Sequence, residues 1–217
     1  MIFKNFERIV FAGDSVTDMG SERPIGETPV SSIGNGYVRV IENNLYAYYP
    51  ELNLRITNSG IACDTSKALL ARFDRDVISL QPDWVSICIG INDVWHFFGQ
   101  PALKETLVRI DEYEKNLEEM ILRSKKTAKG VILATPYYIA PQRSDPMRDM
   151  MDEYGAVCKR LAEKYECVFV DLQKEFDEYC KYKHSSTVSL DRVHPNAIGA
   201  TVQAKAFLKA FKFDFAR

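Results

Sequence analysis

The chain has 217 residues, of which 46% are hydrophobic and 27% are charged, and its formal net charge at pH 7 is -2. These values are ordinary for a soluble globular protein, so they exclude disordered and fibrous classes. A chain this close to neutrality has no general attraction for nucleic acid or anionic membranes, which leaves small molecules as the expected partners.

Short runs rich in β-branched and aliphatic residues alternate along the chain with longer amphipathic stretches. The runs predict strands at residues 8–12, 54–57, 84–89, 131–134 and 168–170, and the stretches predict helices at 36–48, 65–80, 102–126, 147–165 and 195–211. Strands that alternate with helices imply βαβ units and a parallel sheet covered on both faces. With no repeat or linker that would divide it, the chain is predicted to form one α/β/α domain over residues 1–217.

The segments that follow each predicted strand are the ones to search for chemistry, because ligands of open parallel sheets sit at the carboxyl ends of the strands. After the first strand, residues 13–18 (GDSVTD) place Ser15 at a strand-to-helix turn, where its hydroxyl can face a cleft. Ser15 is therefore a candidate nucleophile. The alternative is that Asp14, Ser15 or Thr17 only caps the following helix.

An aspartate and a histidine lie three residues apart near the end of the chain, in residues 191–196 (DRVHPN). A histidine that accepts a serine proton must be held in one tautomer, and a carboxylate on its other nitrogen does this. Asp191 is thus predicted to orient His194. The alternative is a surface turn with a capping aspartate.

Two further segments offer hydrogen-bond donors to an oxyanion. Asn92 follows the third strand in residues 90–93 (GIND), where its amide can point toward a developing negative charge. Residues 58–65 follow the second strand and lead into a helix, whose first backbone N–H groups are free to bind an anion. A turn asparagine that bonds only to its own backbone is the alternative role of Asn92.

The four segments, in this order, resemble the sequence blocks of SGNH hydrolases, also called GDSL esterases and lipases. The resemblance spans the chain from residues 11–18 (FAGDSVTD) to residues 191–195 (DRVHP). It implies a five-stranded parallel sheet between helices, with the flavodoxin-like arrangement, and a Ser15, Asp191 and His194 triad. It also implies an oxyanion hole made by the backbone N–H groups of Ser15 and Cys63 and the side-chain amide of Asn92.

Within that family, the chain is similar to intracellular bacterial acetylxylan and xylo-oligosaccharide acetylesterases. The matching residues are 82–87 (PDWVSI), 90–95 (GINDVW), 135–139 (TPYYI) and 145–148 (DPMR). The likeness implies removal of acetyl groups from sugar hydroxyls without a metal or other cofactor, by a homo-oligomer. Lysophospholipase or thioesterase activity would use the same apparatus with a different pocket.

Cys63 departs from the family pattern N-x-G-x-x-G, whose last position it occupies. Its backbone N–H remains a donor provided that the backbone conformation tolerates a Cβ atom. We expect its side chain to be a small buried hydrophobe rather than a redox-sensitive thiol. Asp14, Trp95 and Tyr137 are the predicted substrate-binding residues, although aromatic residues in such positions also serve as core or subunit contacts.

Other classes of function remain open from the residues alone. Paired carboxylates would suit a glycosidase that needs no serine, with candidates Asp14, Asp18, Asp93 and Asp191, and an α/β fold can also be a non-catalytic binding module. No metal site is predicted, because His96 and His184 lack clustered partners.

The N-terminal residues and the cysteines bear on the compartment. Charges at Lys4, Glu7 and Arg8 interrupt the apolar residues where a signal peptide would need them, and the apolar run 85–91 is shorter than the ~20 residues of a membrane helix. Five cysteines without a CxxC pair favour free thiols in a reducing environment. We therefore expect a cytoplasmic protein without a membrane span.

Overall fold

A computed structural model describes residues 1–23, 25–99 and 107–217. Five strands form one sheet in which all neighbours are parallel, in the order β2-β1-β3-β4-β5. They are β1 (Arg8–Gly13), β2 (Arg55–Gly60), β3 (Trp84–Cys88), β4 (Gly130–Ala134) and β5 (Val168–Val170). This confirms the predicted parallel sheet of five strands, and the strand order is the flavodoxin-like one.

Helices cover both faces of this sheet. Consecutive strand residues point to opposite faces, and Ile9, Val10, Phe11 and Ala12 of β1 are all fully buried. The helices are α1 (Ser15–Asp18), α2 (Tyr37–Tyr48), α3 (Ser66–Asp76), α4 (Ile91–Gly99), α5 (Ile110–Lys125), α6 (Pro146–Lys164), α7 (Leu172–Cys180) and α8 (Ala197–Ala210). On one face, Phe11 contacts the rings of Tyr37 from α2 and Phe207 from α8, which stack 4.8 Å apart.

Local sequence signals explain several helix starts. The carboxylate of Asp145 accepts a hydrogen bond from the Met147 N–H at 2.9 Å, with Pro146 at the first helical position of α6. The amide oxygen of Asn196 likewise accepts from the first N–H groups of α8. These caps satisfy backbone donors that have no partner inside the helix.

Some boundaries differ from the prediction. Strand β2 continues to Gly60 rather than stopping at residue 57, because its buried polar residues find partners: the Asn58 amide donates to the carbonyls of Thr17 and Ile33. Helix α5 begins at Ile110, and residues 107–109 before it are not helical. Residues 102–106 of the predicted helix, including Leu103, lie outside the described residues.

The helices predicted from the sequence do not include α4 or α7. Helix α4 has only nine residues, and its burial does not follow polarity: Asn92 and Asp93 are buried, whereas Phe98 is exposed. Helix α7 also has only nine residues, and Leu172 and Phe176 are its only buried apolar side chains. Within the described residues, we find no helix with the length and apolar character that crossing a membrane requires.

Candidate active site

The order of the strands opens a crevice beside β1. The chain leaves β1 toward β2 on one side and later returns to β3 on the other, so the connections after β1 and β3 diverge at the carboxyl end of the sheet. Gly13 ends β1 against β3, where a Cβ atom on Gly13 would lie 2.3 Å from the Cys88 carbonyl oxygen and 2.3 Å from Thr17 Oγ1. Only glycine fits here. Ser15 stands two residues later, at the first position of α1.

Asp14 caps the short helix α1. Its Oδ1 atom accepts a hydrogen bond from the Val16 N–H at 2.9 Å, while Oδ2 has no hydrogen-bond partner among the described residues. Burial raises the pKa of Asp14 to about 7. Because Asp14 is only 1% exposed, its position does not favour the predicted contact with substrate.

The residues 191–194 form a turn that the side chain of Asp191 closes. Its Oδ1 atom accepts hydrogen bonds from the Val193 N–H at 2.9 Å, the His194 N–H at 2.8 Å and the Ser189 hydroxyl at 3.0 Å. Arg192 adopts a left-handed backbone conformation with φ of 66°, which allows the chain to turn back. The second carboxylate oxygen is thereby left to face the imidazole.

Ser15, His194 and Asp191 form a continuous chain of hydrogen bonds although 179 positions separate the serine from the histidine. Ser15 Oγ lies 2.9 Å from His194 Nε2, and His194 Nδ1 lies 2.7 Å from Asp191 Oδ2. With the ring proton on Nδ1, the imidazole donates to Asp191 and accepts from the Ser15 hydroxyl. This is the arrangement in which a histidine can take the serine proton.

The carboxylate of Asp191 keeps its charge far below neutral pH. Partial burial would raise its pKa, but hydrogen bonds from the His194 ring, from two backbone N–H groups and from Ser189 outweigh burial and lower it to about 2. A carboxylate with a depressed pKa stabilises the folded state above its ordinary titration range and loses that contribution as the pH falls toward 2. At neutral pH, Asp191 therefore faces the imidazole as an anion.

Asn92 lies at the start of α4, at the end of the connection that follows β3. Its Nδ2 atom donates one hydrogen to the Asp64 carbonyl at 2.8 Å, which fixes the plane of the amide. Its neighbour Asp93 is fully buried and accepts hydrogen bonds from Ser66 at the start of α3. The two helices are therefore tied together at the position from which Asn92 projects.

Cys63 stands in the connection between β2 and α3 with φ of 67°, a left-handed conformation that favours glycine. No hydrogen bond among the described residues occupies its backbone N–H or that of Ser15. The thiol is exposed, which corrects the expectation of a small buried hydrophobe. Because the side chain is exposed, the cost of the Cβ atom at this turn is the local strain of the positive φ.

Replacing Cys63 by glycine is expected to raise the free energy of unfolding by up to about 1 kcal/mol, because glycine adopts positive φ without steric cost. Ala62→Gly is the matched control: Ala62 is exposed and has no positive φ, so there glycine should destabilise by about 0.5–1 kcal/mol. Urea denaturation of both variants measures the difference. A loss of stability in Cys63→Gly as large as in Ala62→Gly would contradict strain at this position.

Two of the predicted substrate-binding residues differ in their exposure. Trp95 of α4 is partly exposed, and its ring centre lies 5.7 Å from that of His194, so it lines the site. Tyr137 is fully buried, and its hydroxyl donates to the Val193 carbonyl at 2.9 Å. The position of Tyr137 does not favour the predicted substrate contact; its hydroxyl supports the turn that carries His194.

Arg72 of α3 lies at the floor of the site and is not among the residues predicted from the sequence. It is 7% exposed, its Nε atom donates to Asp64 at 2.6 Å, and its guanidinium also donates to the Gly13 carbonyl and the Ser59 hydroxyl, each at 3.2 Å. It thus joins the ends of β1 and β2 to the Cys63 connection. The only signal in the sequence is a cation among the apolar positions of an amphipathic helix.

Comparisons with known proteins agree with this geometry. A model of the GDSL-like Lipase/Acylhydrolase family matches residues 11–202. An acetylxylan esterase from Geobacillus stearothermophilus is 46% identical to this chain over 211 residues, which cover 97% of this chain and 96% of that enzyme.

Solved structures are similar over the same length. The crystal structure of Axe2, an acetylxylan esterase from Geobacillus stearothermophilus, has a TM-score of 0.98 and 45% identity, covering 100% of this chain and 99% of that chain. Variants of Axe2 described as catalytic mutants replace a serine, an aspartate or a histidine by alanine. LAE5, an alpha/beta hydrolase enzyme from the metagenome of Lake Arreo in Spain, has a TM-score of 0.95 and 43% identity over 98% of both chains.

Proposed function

Because the chain belongs to the GDSL-like lipase/acylhydrolase family, we propose that it is a single-domain serine esterase that removes acetyl groups from acetylated xylo-oligosaccharides. The observation that carries this proposal is the 2.9 Å contact between Ser15 Oγ and His194 Nε2, with Asp191 bonded to the other ring nitrogen. Similarity to an acetylxylan esterase over 97% of the chain supports the choice of substrate.

In the first step, Ser15 attacks the acetyl carbonyl carbon while His194 takes the hydroxyl proton. The tetrahedral intermediate collapses when the C–O bond to the sugar breaks, and His194 returns the proton to the departing sugar oxygen. The acetyl group is then esterified to Ser15. Asp191 remains ionised and stabilises the imidazolium during both proton transfers.

In the second step, a water molecule attacks the acetyl-enzyme. His194 takes a proton from the water as the new C–O bond forms, and it gives that proton to Ser15 Oγ when the acyl bond breaks. Acetate leaves and the free serine is restored. The partial exposure of the His194 ring gives water access to the acetyl-enzyme.

The negative charge on the carbonyl oxygen has three candidate donors: the backbone N–H groups of Ser15 and Cys63 and the second amide hydrogen of Asn92. The first two are not used by other hydrogen bonds among the described residues, and the amide is oriented by its bond to the Asp64 carbonyl. Donors that are held in place before the reaction lower its barrier, because they need no reorganisation when the charge develops.

Replacing Asn92 by alanine is expected to lower kcat by about 10²–10³-fold, because one oxyanion donor is lost. The measurement is turnover of p-nitrophenyl acetate at saturating substrate. Asn44→Ala is the control, since the partly buried amide of Asn44 donates to the Val40 carbonyl at 2.8 Å within α2, outside the triad. It should lower stability while kcat stays near that of the wild type. Wild-type kcat in folded Asn92→Ala protein would remove Asn92 from the oxyanion hole.

Two assays test the proposed substrate. Incubation with acetylated xylo-oligosaccharides, followed by mass spectrometry of the sugars and assay of free acetate, should show stepwise loss of acetyl groups. A series of p-nitrophenyl esters of increasing acyl length should favour acetate. Higher kcat/KM for long acyl chains, with no acetate released from the sugars, would favour the lysophospholipase or thioesterase alternative.

The proposal extends to a homo-oligomer in the cytoplasm. Several large apolar side chains are exposed, among them Phe6, Val30, Leu190 and Phe215. Exposed apolar side chains mark a contact surface between subunits where they form one contiguous patch. The cysteines among the described residues are free thiols, which suits a reducing compartment. Analytical ultracentrifugation tests the homo-oligomer, and a monomer at micromolar concentration would refute it. Fractionation of the native cells tests the cytoplasmic location.

A further inference from the structure

The connection between β4 and α6 makes two hydrogen bonds to the turn that carries Asp191 and His194. The Tyr137 hydroxyl donates to the Val193 carbonyl at 2.9 Å, and the Ile139 N–H donates to the Arg192 carbonyl at 2.9 Å. The backbone carbonyls of Arg192 and Val193, the two residues between Asp191 and His194, thus both accept hydrogen bonds from this connection. The side chain of Asp191 fixes the N–H groups of this turn, and the connection fixes its carbonyls.

The connection is itself anchored to the helices behind it. Gln173 of α7 accepts from the Tyr138 N–H at 2.8 Å and donates to the Tyr138 carbonyl at 3.2 Å. Arg148 of α6 is 2% exposed; it donates to the Ala140 carbonyl at 2.8 Å and forms two hydrogen bonds with Asp177. The segment therefore forms a rigid support rather than a loose loop.

Tyr137 is the link between this support and the imidazole. Its side chain is fully buried against Phe176, with ring centres 4.6 Å apart, and its hydroxyl has the Val193 carbonyl as an acceptor. Val193 directly precedes His194, so a shift of this carbonyl turns the peptide plane from which the imidazole projects. A proton transfer over 2.9 Å depends steeply on such a shift.

We propose that Tyr137 is a positioning residue, whose hydroxyl holds the Val193 carbonyl and so fixes His194 at the distance and angle needed to take the proton of Ser15. This inference rests on the proposed esterase function. Tyr137 itself touches no substrate, since it has no exposed surface. Its role is to act through the backbone of the turn.

Tyr137→Phe tests the proposal, because it removes the hydroxyl and keeps the ring against Phe176. The matched control is Tyr154→Phe: Tyr154 is also fully buried, and its hydroxyl also donates to a backbone carbonyl, that of Val108, at 2.8 Å. Both variants lose the same kind of buried hydrogen bond. Only in Tyr137→Phe does the lost hydrogen bond reach the turn that carries Asp191 and His194.

We expect Tyr137→Phe to lower kcat on p-nitrophenyl acetate by about 10- to 100-fold with KM changed less than about twofold. Tyr154→Phe should show a similar fall in Tm with kcat of the wild type. Equal kcat in the two variants would overturn the proposal, since Tyr137 would then contribute only to stability.

Two further measurements test the role of Tyr137 without depending on which substrate the enzyme uses. The rate at which a fluorophosphonate labels Ser15 needs the serine and histidine but no sugar, and it should fall in Tyr137→Phe in proportion to kcat. The proton on His194 Nδ1, bonded to Asp191, should give a far-downfield NMR signal that broadens in Tyr137→Phe and not in Tyr154→Phe. If the wild type is labelled but deacetylates no sugar, the proposed function fails while these readouts still test Tyr137.

A second variant covers the case in which Tyr137→Phe does not fold. Gln173→Ala removes both hydrogen bonds to Tyr138 and loosens the support one step farther from the turn. It should lower kcat and the labelling rate by a smaller factor, with KM retained. Wild-type kcat and labelling rate in folded Gln173→Ala, with the downfield signal unchanged, would then overturn the proposal.

Discussion

Alanine in place of Ser15 is expected to reduce kcat by about 10⁶-fold, because the attacking oxygen is lost and the rest of the triad has nothing to activate. The hydroxyl is small and partly exposed, so the fold should survive with a Tm close to that of the wild type. Hydrolysis of p-nitrophenyl acetate and labelling by a fluorophosphonate measure the loss. Substrate should still bind, since the candidate oxyanion donors and the Trp95 ring beside His194 remain.

Ser79→Ala is the control for this variant. Ser79 is exposed, and its hydroxyl donates to the Arg75 carbonyl, outside the active-site connections. Labelling and turnover should be those of the wild type. Labelling that persists in Ser15→Ala would show another serine to be the nucleophile, and turnover that persists would favour a glycosidase-like pair of carboxylates.

Asparagine in place of Asp191 is expected to lower kcat by about 10⁴-fold while the turn keeps its shape. The Oδ1 position accepts hydrogen bonds from three donors, those of Ser189, Val193 and His194, so the amide oxygen must take that place. The NH₂ group then faces His194 Nδ1, which must become an acceptor. The ring proton moves to Nε2, where it blocks uptake of the proton from Ser15.

Asp191→Ala provides the decisive comparison, because it removes the carboxylate without imposing the wrong tautomer. If tautomer control is the main contribution of Asp191, the asparagine variant should be no more active than the alanine variant. Asp149→Asn serves as the control for loss of a carboxylate, since Asp149 is exposed on α6. Near wild-type kcat in folded Asp191→Asn would remove Asp191 from the triad.

The site is a composite of connections from separate strands, and each contributes one kind of group. The connection after β1 carries the proposed nucleophile, those after β2 and β3 carry candidate oxyanion donors, and the turn before α8 carries the proposed acid and base. The connection after β4 contributes support, through Tyr137 and Ile139. The parallel sheet brings them together because all of its strands end at the same edge.

The layout of the fold was predictable because it depends on local periodicity. Alternating apolar runs and amphipathic stretches indicated the five strands and most of the helices. The strands are parallel because a helix connects each strand to the next. Helix α4 escaped prediction because it is short and buries the polar Asn92 and Asp93 while it exposes the apolar Phe98, so polarity does not mark its buried face. Ser15, Asp191 and His194, which the structure joins by hydrogen bonds, could also be singled out, because each stands in a short segment with a typical order of residues.

The sequence by itself determined which residue types follow each strand, and therefore the class of enzyme to which the chain belongs. Only the tertiary structure decided where those side chains point: Asp14 and Tyr137 into the interior, Cys63 toward solvent, and Ser15 toward an imidazole 179 positions away. The physical reason is that periodicity and capping act over a few residues, whereas burial and hydrogen bonding at the site depend on segments that meet only after the sheet has formed.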